Sequence, residues 1–262
     1  MDAGRLRTSA LLGRLRNHAP AANRRRLASG LAALDAIVDG GIVHGRVSEI
    51  TGPVGSGRTT IAMRFVAAAT RMGEVVAWLE DARRFDPASA LAAGAVLDRI
   101  LWASPDDRCK ADPESPGTLY PRRLSLIFKA AELVLKAGGF GLVVIDAGAG
   151  AGQLPRSIAL RLAREAERSS AAVIVIAPHG VCGAFAALSL NLTRLKASFS
   201  RFTPASPALF EGLVIQAAVV RNKLGRVGGS ALIRAAIDPA APGFARREGQ
   251  SPAAPIRRAA SV

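Results

Sequence analysis

A glycine-rich stretch near the start of the chain has the residue types and spacing of a phosphate-binding turn. Residues 52–59 read Gly-Pro-Val-Gly-Ser-Gly-Arg-Thr and fit the pattern G-x-x-x-x-G-K-[ST] at every fixed position except the lysine. An apolar stretch precedes the turn and a helical pattern follows it, so backbone N–H groups would point at an anion near a helix N-terminus. A glycine-rich turn that binds nothing is the alternative. The predicted phosphate-binding residues are Gly52, Pro53, Val54, Gly55, Ser56, Gly57, Arg58, Thr59 and Thr60.

Three positions decide what kind of phosphate site this could be. Arg58 replaces the lysine, and its guanidinium keeps the positive charge in a longer, planar and forked side chain. Thr59 is placed to ligate Mg²⁺. Asp146 closes the apolar run Leu-Val-Val-Ile at the end of an expected strand, where a carboxylate could hold Mg²⁺ through water. Together with the upstream turn, Asp146 predicts a site for a nucleotide and Mg²⁺.

The elements that must position these residues alternate along the chain. Continuous apolar strands separated by helices are typical of a parallel sheet that is covered on both faces. Apolar runs predict strands at 47–51, 74–79, 100–102, 142–146 and 172–177, and helical spacing predicts helices at 59–72, 87–93, 122–137 and 154–169. Further strands are predicted from residue 188 and at 213–220 and 231–237, with no long helix between them. The expected fold is α/β: a mostly parallel sheet flanked by helices, with a C-terminal antiparallel extension.

Positive charge is concentrated at both ends of the 262-residue chain. Residues 1–26 carry a net charge of +6 and residues 239–262 a net charge of +3, out of a total of +15. Half of the residues are hydrophobic, which excludes a wholly disordered chain. We therefore expect a basic, partly helical N-terminal arm at 1–26, a folded core at 27–238 and a disordered basic tail at 239–262.

The charge balance also predicts a polyanionic partner, and DNA is the first expectation. Three arginines on the predicted helix at 154–169 are spaced i, i+3 and i+7 and so share one face, which could follow a phosphate backbone. A solvated face that pairs with Glu165 and Glu167 is the alternative. The DNA-binding candidates are Arg156, Arg161, Arg164 and Arg168.

The cysteine content and the lengths of the apolar stretches bear on the cellular compartment. Two cysteines, Cys109 and Cys182, exclude a disulfide scaffold and a structural zinc site and favour a reducing compartment. The N-terminus lacks an apolar run long enough for a secretory signal, and Pro178-His179-Gly180 divides the longest uncharged stretch. We therefore expect a cytoplasmic protein with no membrane partner.

The motifs together resemble the core of the RecA-like P-loop recombinase superfamily over about residues 27–238. Besides the phosphate turn, the segments that carry the resemblance are SGLAALD (29–35), GGIVHGRVSEI (40–50), EDARRFDP (80–87) and VVRNK (219–223). The resemblance implies ATP and Mg²⁺ as cofactors, DNA in single-stranded form as a partner, and a homo-oligomer. In that family two late cations contact ATP bound by the neighbouring subunit. Here these cations would be Arg221 and Lys223.

The departures from the family pattern affect the catalytic positions. The catalytic glutamate of the family aligns with Ala82, and Glu80 and Asp81 are close but out of register, which makes them weak candidates. The glutamine that senses the terminal phosphate falls at Pro178. The two DNA-binding loops are almost deleted. The resemblance thus implies a degenerate ATPase site and leaves open whether ATP is hydrolysed.

A RecA relative with these losses is similar to the ImuA-type proteins of bacterial mutagenesis cassettes. Residues 130–146, the helix that begins near Leu154-Pro155-Arg156, and residues 212–223 carry this resemblance. It implies a nucleoid-associated role in the SOS response and translesion synthesis, beside an ImuB-like polymerase-related protein and an error-prone polymerase.

Three functional hypotheses follow. The first is a DNA-repair accessory that binds DNA and ATP with weak or no hydrolysis and bridges partners in translesion synthesis. The second is an active DNA-dependent ATPase or recombinase of the RecA type that forms filaments on single-stranded DNA. The third is an interaction protein in which the phosphate turn is a fossil.

Overall fold

The computed structural model describes residues 25–81, 83–105, 119–201 and 207–236. The strands are β1 (Arg26–Leu27), β2 (Ile42–Val43), β3 (Val47–Thr51), β4 (Val75–Glu80), β5 (Ile100–Ala103), β6 (Phe140–Asp146), β7 (Ala172–Ala177), β8 (Leu188–Ser200), β9 (Leu209–Asn222) and β10 (Ser230–Ala236). The helices are α1 (Ala32–Ile37), α2 (Arg58–Arg71), α3 (Pro87–Ala92), α4 (Leu119–Ala137) and α5 (Arg156–Ser169). Short 3₁₀ turns lie at Leu97–Arg99 and Gly183–Phe185.

One eight-stranded sheet organises the described residues, in the order β10-β9-β8-β3-β7-β6-β4-β5. The strands from β8 to β5 are parallel to their neighbours, whereas β9 and β10 pair antiparallel at the other edge. The predicted fold class, a mostly parallel sheet with a C-terminal antiparallel extension, is confirmed. All six residues of β7 are buried, which is why this strand is a continuous apolar run in the sequence: both faces of the sheet are covered there.

Helices cover the two faces of the parallel part of the sheet and create two cores. On one face α2 contributes Phe65, which packs in a cluster with Trp78 of β4 and Ile215 of β9. On the other face α4 and α5 contribute Phe128 and Leu162. Both cores are mainly aliphatic, because most of their buried residues are Leu, Ile, Val and Ala.

The structure differs from the expected elements in the lengths of two strands, in the start of one helix and in short elements that were not predicted. β8 and β9 are 13 and 14 residues long, longer than the apolar pattern predicted, because exposed residues continue the pairing beyond the core. α5 begins at Arg156 and not at residue 154, since Pro155 takes an extended conformation at the N-cap. Neither α1 nor the small β1–β2 pair was predicted.

The expected arm and tail fall largely outside the described residues, so the three-part domain organisation stays a prediction. Arg25 pairs with Glu74, and the Arg26 guanidinium donates to the carbonyls of Val38, Gly41 and Leu224. Within the described ranges, no helix has the length and apolar character needed to cross a membrane.

Candidate nucleotide-binding site

Four parallel strands end together at one edge of the sheet. The register pairs Thr51 of β3 with Ala177 of β7, and Glu80 of β4 with Asp146 of β6. Because parallel strands present their carboxyl ends on the same side, the loops after β3, β4, β6 and β7 converge here. Ligands bind at this edge in open α/β sheets.

The phosphate loop (residues 52–59) connects β3 to α2 and depends on glycine at two close approaches. Gly52 has φ 145°, and a Cβ there would lie 2.3 Å from the Leu192 carbonyl oxygen. Gly57 has φ 90°, and its Cβ would lie 2.3 Å from Ile215 Cδ1. The Gly52 N–H donates to the Pro178 carbonyl at 3.2 Å, which ties the loop to the end of β7. A side chain at either glycine would displace the loop or strands β8 and β9.

The loop contains polar atoms suited to an anion. Ser56 Oγ and Arg58 Nη1 are buried and have no hydrogen-bond partner among the described residues. Burial lowers the pKa of the Arg58 guanidinium, while the nearby Asp146 raises it. The fourteen-residue α2 begins directly at Arg58 and supplies N–H groups at its first turn. A guanidinium nitrogen without a hydrogen-bond partner at a helix N-terminus fits a bound phosphate.

Asp146 stands at the end of β6, 7% exposed. Its Oδ1 accepts a hydrogen bond from the Gly148 N–H at 3.0 Å. Burial raises the pKa of the Asp146 carboxyl, and this hydrogen bond and the charge of Arg84 lower it. Thr59 lies exposed on the first turn of α2. A carboxylate and a hydroxyl beside a phosphate are oxygen ligands of the kind that Mg²⁺ takes in nucleotide sites, so the residues present fit that ion.

Glu80, one of the two weak catalytic candidates, accepts hydrogen bonds from three groups that surround it. Its carboxylate is 1% exposed and accepts hydrogen bonds from the N–H groups of Arg84 at 2.8 Å and Phe85 at 3.0 Å, and from Trp102 Nε1 at 2.7 Å. These donors fix the segment after β4 against β5. The other candidate, Asp81, is also buried and packs against Gly148. Ala82, the position of the family glutamate, lies outside the described residues.

Two arginines in this region were missed by the sequence reasoning. The charge of Arg84 acts on both Arg58 and Asp146. Arg123 of α4 donates from its guanidinium to the Asp81 carbonyl. Arg84 follows the end of β4 by four residues, which was a usable signal, whereas the reach of Arg123 depends on how α4 packs.

The loop after β7 is held by a buried acid. Glu49 of β3 is 2% exposed and accepts hydrogen bonds from the N–H groups of Val181 and Cys182, at 2.7 and 2.6 Å, and from Ser189 Oγ at 3.0 Å. Burial beside this carboxylate raises the pKa of the Cys182 thiol well above its usual range. Pro178 and the exposed His179 occupy the place of the expected phosphate-sensing glutamine.

Arg221 and Lys223 lie away from the phosphate loop of their own chain. Arg221 pairs with Ser189 at the start of β8, and its guanidinium donates to the Gly183 carbonyl. The Lys223 ammonium donates to the Ala184 carbonyl. Within one chain these two cations hold the 3₁₀ turn that precedes β8.

The four arginines of α5 divide into two pairs. Arg161 Nε forms a 2.9 Å ion pair with Glu132 of α4, and Arg168 lies 3.6 Å from Glu165. Arg156 and Arg164 are exposed, and neither shows an ion pair within the part of the chain that the structure describes. Of the predicted pairings with Glu165 and Glu167, only Arg168 with Glu165 is present among the described residues, since Glu167 pairs with Arg46.

The sheet order, the phosphate loop and the acid at the end of β6 define a P-loop α/β fold of RecA type. The family model of the RecA N-terminal domain matches residues 11–114. The RecA protein of Symbiobacterium thermophilum is 33% identical over 119 residues, which cover 45% of this chain and 29% of that protein. The RecA protein of Streptococcus pyogenes is 43% identical over 81 residues, which cover 30% of this chain and 21% of that protein. The chain thus spans less than a third of the curated relatives it matches.

The likeness to solved structures extends further along the chain. The crystal structure of the RadB recombinase superposes with a TM-score of 0.53 and 20% sequence identity, and the match covers 79% of this chain and 95% of that one. At that identity the likeness shows the fold. The sequence matches are thus to RecA proteins over the first half of the chain, and the fold is similar to that of the RadB recombinase.

Proposed function

We propose that the chain is a RecA-like DNA-repair accessory of the ImuA type, which binds ATP with Mg²⁺ and binds DNA but hydrolyses ATP weakly or not at all. In this proposal the nucleotide stabilises a scaffold and does not drive a motor. The scaffold acts in translesion synthesis during the SOS response, beside an ImuB-like polymerase-related protein and an error-prone polymerase.

The observation that carries the proposal is the state of Glu80. A general base must present a free carboxylate oxygen to the water it activates, within hydrogen-bond distance. The Glu80 carboxylate is buried and accepts three hydrogen bonds from fixed donors of the β4–β5 region. Such an acid organises the segment that follows β4, and its carboxylate is not free to activate water.

Retention of the phosphate loop supports nucleotide binding. The glycines at the two close approaches, the unpartnered Arg58 Nη1 and the buried Asp146 are all consistent with a loop that still holds phosphate. Bound nucleotide would supply a charged, rigid group that joins β3, α2 and β6. The interaction-protein hypothesis accounts for the glycines through their packing against β8 and β9, but not for the unpartnered Arg58 Nη1.

DNA binding is supported by charge. The chain carries +15, and the exposed Arg156 and Arg164 on α5 are available to phosphates, whereas Arg161 and Arg168 pair with acids. We expect Arg164→Ala to weaken DNA binding and to reduce the slope of log K against log salt by about 1. Arg168→Ala, on the same helix, is the matched control with a smaller effect. Equal effects of the two substitutions would remove α5 as the DNA-contacting element.

The translesion role rests on the resemblance of residues 130–146 and 212–223 to ImuA-type proteins. It predicts that the chain forms a complex with an ImuB-like protein. Co-purification of the two full-length proteins at micromolar concentration, with a RecA protein replacing this chain as the control, tests this part. Absence of a complex would leave a nucleotide-binding RecA relative without that role.

The nucleotide part of the proposal is tested by ATP binding and turnover in parallel, with and without single-stranded DNA. Equilibrium binding is expected with the full-length chain and is expected to be at least tenfold weaker in Arg58→Ala. Turnover is expected to remain at background in both. DNA-stimulated turnover that is lost in Arg58→Ala would establish the alternative, an active ATPase or recombinase.

A further inference from the structure

Strands β8 and β9 form a hairpin that extends past the last residue of β3 and runs beside the phosphate loop. β8 pairs with β3 up to the contact of Asn191 with Thr51, the last residue of β3. Leu192 therefore faces the loop directly, and its carbonyl oxygen is the atom that excludes a side chain at Gly52. The next residue on the same face of β8 is Arg194.

Arg194 lies against the middle of the phosphate loop. A Cβ built on Gly55 would stand 3.2 Å from Arg194 Nη1 and 3.9 Å from its Cζ. The register pairs Arg194 with Ile215, whose side chain contacts the position of Gly57. Two residues of the hairpin thus contact the loop on one side, one through its guanidinium and the other through its apolar end.

The Arg194 guanidinium has no ion pair with any carboxylate of the described residues. A guanidinium offers five N–H donors in a planar fork that matches phosphate oxygens. Arg221 and Lys223, by contrast, donate to carbonyls of the turn before β8 in their own chain. Arg194 therefore lies at the phosphate loop, whereas Arg221 and Lys223 lie at the other end of the hairpin strands.

A β-bulge makes this placement specific to Arg194. Arg194 pairs with Ile215 and Lys196 pairs with Val214, while Leu195 is the extra residue between them. Ile215 and Val214 are adjacent on β9 and point to opposite faces of the sheet. Lys196 consequently faces away from the phosphate loop, although it carries the same charge two residues further along the strand.

We infer that Arg194 is a phosphate-binding residue of the nucleotide site, supplied by the same chain that supplies the phosphate loop. This inference rests on the proposed nucleotide binding. It means that one chain completes the cationic lining of its own site with Arg58 from α2 and Arg194 from β8. Nucleotide binding then needs no neighbouring subunit.

The test compares ATP dissociation constants of the full-length protein and three variants. Arg194→Ala is expected to weaken ATP binding at least tenfold, and Arg194→Lys to restore part of the loss because it keeps the charge without the fork. Lys196→Ala is expected to bind within twofold of the unmodified protein. Thermal unfolding of each variant serves as the folding control, since both side chains are exposed.

A mixing experiment separates the same-chain role from one across subunits. Arg58→Ala chains carry an intact Arg194, so they would restore binding to Arg194→Ala chains if Arg194 acted on a neighbour. No restoration is expected, and restoration would overturn the same-chain assignment. Unchanged affinity in Arg194→Ala, with ATP binding by the unmodified protein, would overturn this inference alone. Absence of ATP binding by the unmodified protein would overturn the proposed nucleotide function and this inference with it.

Discussion

The end of β3 and the end of β4 lie at the same sheet edge but differ in whether their charged side chains have hydrogen-bond partners. At β3 the phosphate loop has its glycines, its helix N-terminus and a buried Arg58 Nη1 without a hydrogen-bond partner among the described residues. At β4 the acid Glu80 accepts three hydrogen bonds and holds the following segment. Under the proposed function this difference allows nucleotide binding without hydrolysis, because phosphate binding depends on backbone geometry and water activation on one free side chain.

The largest effect is expected at the phosphate loop. Gly52→Ala would place a Cβ 2.3 Å from the Leu192 carbonyl oxygen and should cost about 3 kcal/mol of unfolding free energy, together with nucleotide binding. Gly73→Ala is the matched control, because Gly73 also has positive φ but nothing within 4 Å of its Cβ position, so only about 1 kcal/mol is expected. Urea unfolding measures both. Equal costs would mean that the close approach to β8 does not constrain the loop.

A smaller loss of stability is expected at the end of β4. Glu80→Gln replaces a carboxylate oxygen with an NH₂ group that faces backbone donors, and it should cost about 2 kcal/mol. Urea unfolding reports the cost, and a parallel assay reports ATP turnover. Normal stability combined with a fall in measurable turnover would identify Glu80 as a base and erase the contrast between the two strand ends.

Asp146, at the end of β6, lies between the two strand ends, and its raised pKa should make the free energy of unfolding depend on pH. Burial raises the pKa of Asp146, so its contribution to folding is fully present below the unfolded-state pKa and is lost as the pH rises through the folded-state pKa. Asp146→Asn should therefore be more stable than the unmodified protein at pH 7, with the gain vanishing near pH 3. The exposed Asp98→Asn is the control, with no such gain. A gain at pH 7 that persists unchanged at pH 3 would assign the effect to something other than the buried charge.

The smallest effect is expected where the sequence departs most visibly from the phosphate-loop pattern. Arg58→Lys restores that pattern, yet ATP turnover should stay at background, because the Glu80 carboxylate is still held by its three donors and the family glutamate is still replaced by Ala82. ATP binding by the same variant confirms that the loop is occupied during the assay. Turnover gained by this substitution alone would place the defect at Arg58 and not at the β4 end.

Much of this architecture was predictable because the signals were local. The strands β3, β6 and β7 are continuous apolar runs, and the phosphate loop carries its own spacing. The role of Glu80 was not predictable, since Trp102, 22 residues away in sequence, donates to it from the neighbouring strand β5. Arg194 was missed for a similar reason. Its position depends on the register of β8 with β9 and on a bulge at Leu195 that no sequence pattern marks.

The central claim, that the site binds ATP without turning it over, is tested most directly by the fate of bound nucleotide. The full-length protein would be loaded with ATP and Mg²⁺, separated from free nucleotide, and incubated with single-stranded DNA before the bound fraction is analysed. We predict recovery of intact ATP over many minutes, at close to one per chain. Recovery of ADP and phosphate, accelerated by DNA and absent in Arg58→Ala, would contradict the account.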